Sequence, residues 1–190
     1  MLASETLTVE LLAPFRDAGQ LFVVLDACDA PSVPVLCEGV GPTRAVSLYR
    51  GDAEERYADI APYLLHVTDE TLFEWVMAYA VTPGWGILVI APVAFEAMRT
   101  HLRKFLKVMG PDGRRLYFRF YDPRVLPVFL PTCERAQLDQ FFGPVLAYGT
   151  SDGEGSATTY RRIGAPTVAA ASARLAAEQQ RAATAEVHGA

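Results

Sequence analysis

Leu21-Phe22-Val23-Val24-Leu25-Asp26 is a continuous apolar run closed by an acid. A strand with one face in water alternates apolar with polar residues, whereas a run apolar at every position marks a strand covered on both faces. Outward from this run, Ala45–Tyr49, Tyr63–Val67, Ile87–Ile90 and Leu116–Tyr121 read as further strands, and Val145–Tyr148 is placed to add a last one. Helical patterns lie between them. Residues 5–16 form a short amphipathic helix with Leu7, Leu11 and Leu12 on one side. Pro31–Leu36 reads as a short helix or an irregular turn, and Asp52–Ile60 as a helical turn or two that Asp52 is placed to cap. Asp69 is the expected N-cap of a helix over Glu70–Tyr79, with Leu72, Phe73 and Val76 at core spacing. Pro92 opens a helix that ends near Val108, and two more pieces cover 123–130 and 133–142, the second stopped by Gly143-Pro144. Pro83-Gly84-Trp85-Gly86 and Pro111-Asp112-Gly113 are turns. Strands alternating with helices predict an α/β fold, with a mixed sheet of about five to six strands flanked by helices. Several connections are too short for a regular βαβ series, so an antiparallel edge is expected.

The chain divides by composition. Residues 1–148 form the α/β domain, and 149–165 is a linker that opens with the Gly- and Ser-rich run Gly149–Ser156. Residues 166–190 are an Ala-rich helical extension. Its apolar stripe is thin, Val168 and Leu175 with several alanines, so it is expected to dock weakly, fray, or pair with a partner.

Half of the 190 residues are apolar and 21% are charged, well away from the disordered regime. The net charge of −5 does not favour nucleic acid or anionic membranes. The charge is unevenly placed, however: residues 95–124 hold eight Lys or Arg against three acids, and the rest hold nine against 19. Cys28, Cys37 and Cys133 give no even framework and no CxxC pair, so they read as reduced thiols packed as small hydrophobes. The first residues lack a basic segment and a long apolar core, and the longest apolar run, Gly86 to Phe95, falls short of the roughly 20 residues of a membrane helix. A soluble cytoplasmic protein is expected.

Catalytic signals are sparse. Dinucleotide, P-loop, zinc-protease and nucleophile-elbow motifs are missing. His66 falls in a strand, His101 in a basic helix and His188 in the tail, without metal-ligand spacing, so neither a metal site nor a cofactor is expected. Asp26 and Asp29 sit just past a strand, where α/β folds place sites; each is equally a cap or turn former. An enzyme using Asp26 with a histidine is therefore the rival to a binding function.

The densest positive charge lies in and before Arg114-Arg115-Leu116-Tyr117-Phe118-Arg119-Phe120-Tyr121-Asp122-Pro123-Arg124-Val125. Arg99, Arg103 and Lys107 recur every four residues as a basic stripe on the preceding helix. Strand alternation puts Leu116, Phe118 and Phe120 on one face and Tyr117, Arg119 and Tyr121 on the other. The second face is either a Tyr-Arg-Tyr interface or a covered surface in which Arg119 pairs with Asp122 or Asp26. Asp122 and Pro123 read as an N-cap followed by Pro at the first helical position. Arg124 then sits in a first helical turn that disfavours a cation, which calls for a carboxylate partner from elsewhere. A basic helix beside an Arg-aromatic strand also resembles a nucleic-acid groove, but eight local cations in an acidic protein argue against it.

Several of these pieces, in order, resemble one family. They are Trp85-Gly86-Ile87-Leu88, Leu102-Arg103-Lys104-Phe105-Leu106-Lys107-Val108, Asp112-Gly113, Phe118-Arg119-Phe120-Tyr121-Asp122-Pro123-Arg124-Val125-Leu126 and Phe141-Phe142-Gly143-Pro144-Val145. Leu25-Asp26-Ala27 and the aromatic-rich helix at 70–79 fit as well. Over about residues 21–148 the chain resembles the type VI secretion effector chaperones, an adaptor domain long catalogued only as a domain of unknown function. The Phe-Arg-Phe-Tyr-Asp-Pro-Arg-Val core is the specific part. The stretch between Ala30 and Gly51 has no family counterpart, and such variable parts are expected to tune effector choice. The resemblance implies a cytoplasmic adaptor, not an enzyme, that binds a toxic effector and helps load it onto the spike protein. Arg99, Arg103, Lys107, Arg119, Tyr121 and Arg124 are the candidate protein-binding residues; Asp26, Trp85, Asp122 and Pro123 are the candidate structural ones. Arg103 is expected on the surface, so its charge reversal is expected to weaken effector capture at unchanged stability.

Overall fold

In a computed structural model of the protein, residues 2–81, 85–110, 112–151, 157–162 and 164–188 are described. The expected Pro83-Gly84 and Pro111 turn positions and much of the Gly- and Ser-rich run lie outside them. The order is β1 (Leu2–Thr6), α1 (Val9–Asp17), β2 (Leu21–Asp26), α2 (Val33–Val40), β3 (Ala45–Ser47) and α3 (Asp52–Arg56). After a 3-10 turn at Ala58–Ile60 come β4 (Pro62–His66), α4 (Glu70–Trp75) running into a π-turn, β5 (Gly86–Ile90) and α5 (Phe95–Arg103). Then follow β6 (Lys107–Met109), β7 (Arg115–Tyr117), α6 (Leu126–Phe129), α7 (Arg135–Phe142), β8 (Ala147–Ser151), β9 (Ala157–Arg162) and α8 (Val168–His188).

The α/β layering is as the pattern predicts. Seven strands form one sheet in the order β1-β9-β8-β5-β2-β4-β3, and β6 and β7 form a separate two-stranded ribbon. Along β2, Leu21, Val23 and Leu25 pack into one apolar cluster, and Phe22 and Val24 into the other. Leu12, Phe15, Val33, Phe73 and Val168 cover the first face; Met98, Leu102, Leu126, Phe141 and Phe142 cover the second. Both faces of the central strand are thus buried under helices, which is why no polar residue interrupts it. Every strand pairing is nevertheless antiparallel, where a mixed sheet was expected. A continuous apolar run reports two covered faces and carries no information about strand direction.

Other differences share a cause. Residues 2–6 are an edge strand on β9, so the first helix begins only at Val9. β9 itself lies within the expected linker and pairs with both β1 and β8. Small and polar residues look like a linker in isolation, but a strand near the sheet edge needs only a neighbour's backbone. The first half of α8 docks firmly: Val168, Ala171, Ser172 and Leu175 are buried, and Glu5 accepts from Val168 N at 2.9 Å. Asp69 caps α4 as expected, accepting from Leu72 N at 2.9 Å, whereas Gly51 rather than Asp52 caps α3. All three cysteines are free; Cys37 is buried, with its thiol pushed up to about 12 by burial, but Cys28 is exposed rather than packed.

Candidate functional site

The loop after β2 and the segment after β7 meet across the end of the sheet, and Asp26 is the pivot. Its backbone N–H donates to Trp85 O at 2.9 Å, fixing the end of β2 against the entry to β5. Its side chain is only 2% exposed. Oδ1 accepts from Cys28 N at 3.0 Å, and Oδ2 accepts from Arg119 Nε at 3.0 Å and Nη2 at 2.5 Å. Burial pushes the Asp26 carboxyl above its ordinary range; the hydrogen bond and charge of Arg119, then the Cys28 N–H, only partly offset this. The same Arg119 Nη2 lies 3.3 Å from Asp29 and 3.7 Å from Asp122. Arg124 closes the network, reaching Asp29 and Asp122 at 2.7 Å each. For Asp122 burial acts upward, but the hydrogen bonds and charge of Arg124 outweigh it and hold the carboxyl low. Three carboxylates surround two guanidiniums here, so the positive charge of this stretch is locally cancelled.

The network explains why the expected strand over 116–121 stops at Tyr117. β7 pairs only with the three residues of β6, with Lys107 opposite Tyr117 and Met109 opposite Arg115. After Phe118, whose N–H donates to Leu106 O, the chain turns inward and Arg119 reaches Asp26. Phe120 and Tyr121 are then both buried, so the Tyr117-Arg119-Tyr121 face expected from strand alternation does not form. Tyr121 is 2% exposed, so it is core rather than interface; burial, then its neighbours Tyr49 and Asp26, raise its phenol. Asp122 and the buried Pro123 make a turn rather than a helix start: Asp122 Oδ1 accepts from Arg124 N at 2.9 Å, and α6 begins only at Leu126. Arg124 does find its carboxylate from elsewhere, Asp29 of the β2–α2 loop.

The basic stripe is also divided. α5 ends at Arg103, so Lys107 lies on β6. Arg99 pairs with Glu96 at 3.3 Å, and its buried Nε has no acceptor among the described residues. Arg103, expected on the surface, turns inward: Nε donates to Leu48 O at 2.9 Å, and Nη2 to Ser47 O at 3.0 Å and Tyr49 O at 2.9 Å. One guanidinium thus clamps three successive carbonyls at the end of β3. Arg103→Ala is expected to cost about 2 kcal/mol, within the range for hydrogen bonds to a charged group. Arg103→Lys should recover little of it, because an ammonium lacks the planar fork. A urea titration checks this; an unchanged midpoint in Arg103→Ala would return the residue to the surface role.

The histidines are engaged elsewhere. His66 stacks between Phe22 and Phe95 and bonds Gly19 O at 2.9 Å, at the end of the sheet away from Asp26. His101 is buried, with Nε2 2.9 Å from Phe141 O. Asp26 and these two histidines are not brought together. Among the described residues no group of His, Cys, Asp and Glu is arranged to hold a metal ion, and no helix is long and apolar enough to cross a membrane.

Just before the arginines of this network in the chain is the β6–β7 ribbon. Met109 is 64% exposed, Tyr117 53% and Leu116 49%, with Val108 also on the surface. The ribbon is two three-residue strands, and these four large apolar side chains belong to neither core cluster. Leu116 and Tyr117 were legible in sequence only as members of a longer strand.

A family model described as Domain of unknown function (DUF4123) matches residues 21–140. The chain belongs to the DUF4123 family. No curated protein and no solved structure matches it. The matched span runs from the start of β2 to within α7, so the DUF4123 unit includes the whole Asp26–Arg119–Asp122–Arg124 network and the β6–β7 ribbon. Outside it lie β1, α1, β8, β9 and α8, which complete one side of the sheet.

Proposed function

We propose that this DUF4123 domain is a cytoplasmic adaptor, a chaperone that binds a type VI secretion effector and helps load it onto the spike protein for delivery. It acts by binding and not by catalysing a reaction. The observation that carries the reading is the ribbon: Val108, Met109, Leu116 and Tyr117 face water, beside the ion-pair network of Arg119 and Arg124. The secretion assignment comes from the resemblance of Phe118–Val125 to the effector chaperones, and the network gives that motif a physical task. Arg119 and Arg124 shape the binding surface and are not the surface itself.

The test is recovery of a candidate effector, chosen from the genes neighbouring this one, on the tagged full chain. Wild type is expected to retain effector and spike. Met109→Asp with Leu116→Asp is expected to lower recovery at least several-fold at an unchanged unfolding temperature, because neither side chain supports the core. Failure of the wild type to retain any effector sinks the adaptor reading; full recovery by the double variant removes the ribbon from it.

A further inference from the structure

Most cations of this protein are neutralised. Arg16, Arg44, Arg99, Arg114, Arg119, Arg124, Arg135, Arg161, Arg162 and Arg174 each lie within ion-pair distance of a carboxylate. Among the described residues, Arg50, Arg56, Arg103, Lys104, Lys107, Arg115 and Arg181 have no such partner, and four of the seven, Arg50, Arg103, Lys104 and Lys107, line one groove of about 430 Å³. They come from three separate places: the turn after β3, the end of α5, and β6. A helix C-terminus favours cations, which accounts for Arg103 and Lys104. It does not account for Arg50 or Lys107. Arg103 spends Nε and Nη2 on the β3 carbonyls and leaves Nη1 without an acceptor among the described residues. Glu54 and Glu96 act on Arg103 electrostatically, but burial, then Arg99 and Arg50, outweigh them and hold its pKa below the ordinary value.

The groove also has an aromatic and apolar side. Tyr49 and Tyr117 meet with ring centroids 5.5 Å apart at 58°, and Lys107 Nζ lies 5.2 Å over the Tyr117 ring. Leu48 and Leu106 lie beneath. Uncompensated cations beside tyrosines and aliphatic side chains complement carboxylates interleaved with apolar residues. A nucleic acid fits less well. The tilted, touching rings leave no parallel slot for a base, and the acidic remainder of the chain repels a long phosphate backbone.

We propose that the groove between the end of α5, the turn after β3 and the β6–β7 ribbon receives an acidic, apolar-bearing peptide segment of the partner protein. This rests on the adaptor reading and adds the chemistry of the segment recognised. Tyr117 belongs to both ribbon and groove, so the apolar contact continues into the charged one.

The probe is a short labelled peptide alternating Glu with Leu, titrated into the full chain at low salt and followed by fluorescence anisotropy. A Lys-Leu peptide and an oligothymidylate serve as comparisons. The acidic peptide is expected to bind in preference to both. Arg50→Glu, Lys104→Glu and Lys107→Glu together are expected to weaken it about tenfold or more, since all three side chains are exposed and each reversal turns an attraction into a repulsion. Arg181→Glu, an exposed cation on α8, is expected to leave it unchanged. Equal binding of the Lys-Leu peptide, tighter binding of oligothymidylate, or equal loss in Arg181→Glu overturns the proposal. So does a triple variant whose only change is lost self-association by sedimentation, which would make a second copy the occupant. A triple variant that still retains the effector in full overturns the groove and leaves the adaptor reading standing. A wild type that retains no effector, whatever the peptide does, fails the adaptor reading instead.

Discussion

Arg119→Ala is expected to destabilise the protein by about 3 kcal/mol. Removing one partner of a buried ion pair leaves the other charge in a medium that cannot solvate it, at a cost of roughly 3–5 kcal/mol. Asp26 meets that condition at 1% exposure, while the Arg119 side chain is 39% exposed, so water entering its place sets the value at the low end. The loss should depend on pH with a definite sign. The folded-state pKa of Asp26 is already raised by burial, and Arg119 is the chief influence holding it down. In the variant it rises further. A group whose folded pKa lies above its unfolded value contributes stability that is complete below the unfolded pKa and is lost as pH rises through the folded one. The deficit of Arg119→Ala relative to wild type should therefore be largest at neutral pH and shrink as pH falls towards the ordinary carboxylate range. Asp26→Asn in the Arg119→Ala background should recover part of the loss, because the amide oxygen still accepts the Cys28 N–H and carries no charge. Urea titrations across the acid range check each statement. A deficit that does not change with pH would mean that Arg119 acts by packing and not by compensating Asp26.

Gly86→Ala is expected to have an effect as large or larger. Gly86 lies opposite Leu25 in the β2–β5 ladder. A Cβ there would lie 2.1 Å from Val24 O and 3.1 Å from Leu25 Cα. Both obstacles are backbone of the central strand, so no side chain can rotate away, and only separation of the two strands makes room. A loss of about 4 kcal/mol, among the exceptional values for a single methyl group, corresponds to a fall in unfolding temperature of roughly 10 °C. Gly39→Ala supplies the contrast. That glycine lies within α2 with nothing inside 4 Å of the added carbon, so the change should be neutral or stabilise by up to about 1 kcal/mol. Equal behaviour of the two variants in thermal unfolding would mean that the β2–β5 contact tolerates a side chain.

Together the two positions show how the family motif and the sheet are joined. Gly86 lets β5 approach β2, Trp85 O holds Asp26 N, and Asp26 holds Arg119. The ribbon projects from the far side of this chain of contacts. Substitutions at Arg119 or Asp26 that abolish partner binding therefore report on folding until stability has been measured alongside.

By itself the sequence determined the properties that depend on neighbours along the chain. The unbroken apolar runs at Leu21–Leu25 and Ile87–Ile90 marked strands covered on both faces, and Asp69 marked the start of α4, because period and capping act over a few residues. Only the tertiary structure decided which groups meet. Strand direction, the recruitment of Ala157–Arg162 into the sheet, and the bond from Arg119 to Asp26 across 93 residues depend on closure in space. The same is true of charge. The run from Phe95 to Arg124 is basic as written, but Asp26 and Asp29 neutralise the arginines that made the motif conspicuous. Of the seven cations without a carboxylate partner among the described residues, four, Arg50, Arg103, Lys104 and Lys107, are gathered in one groove. A sequence states which side chains are charged; which of them stay uncompensated is a property of the fold.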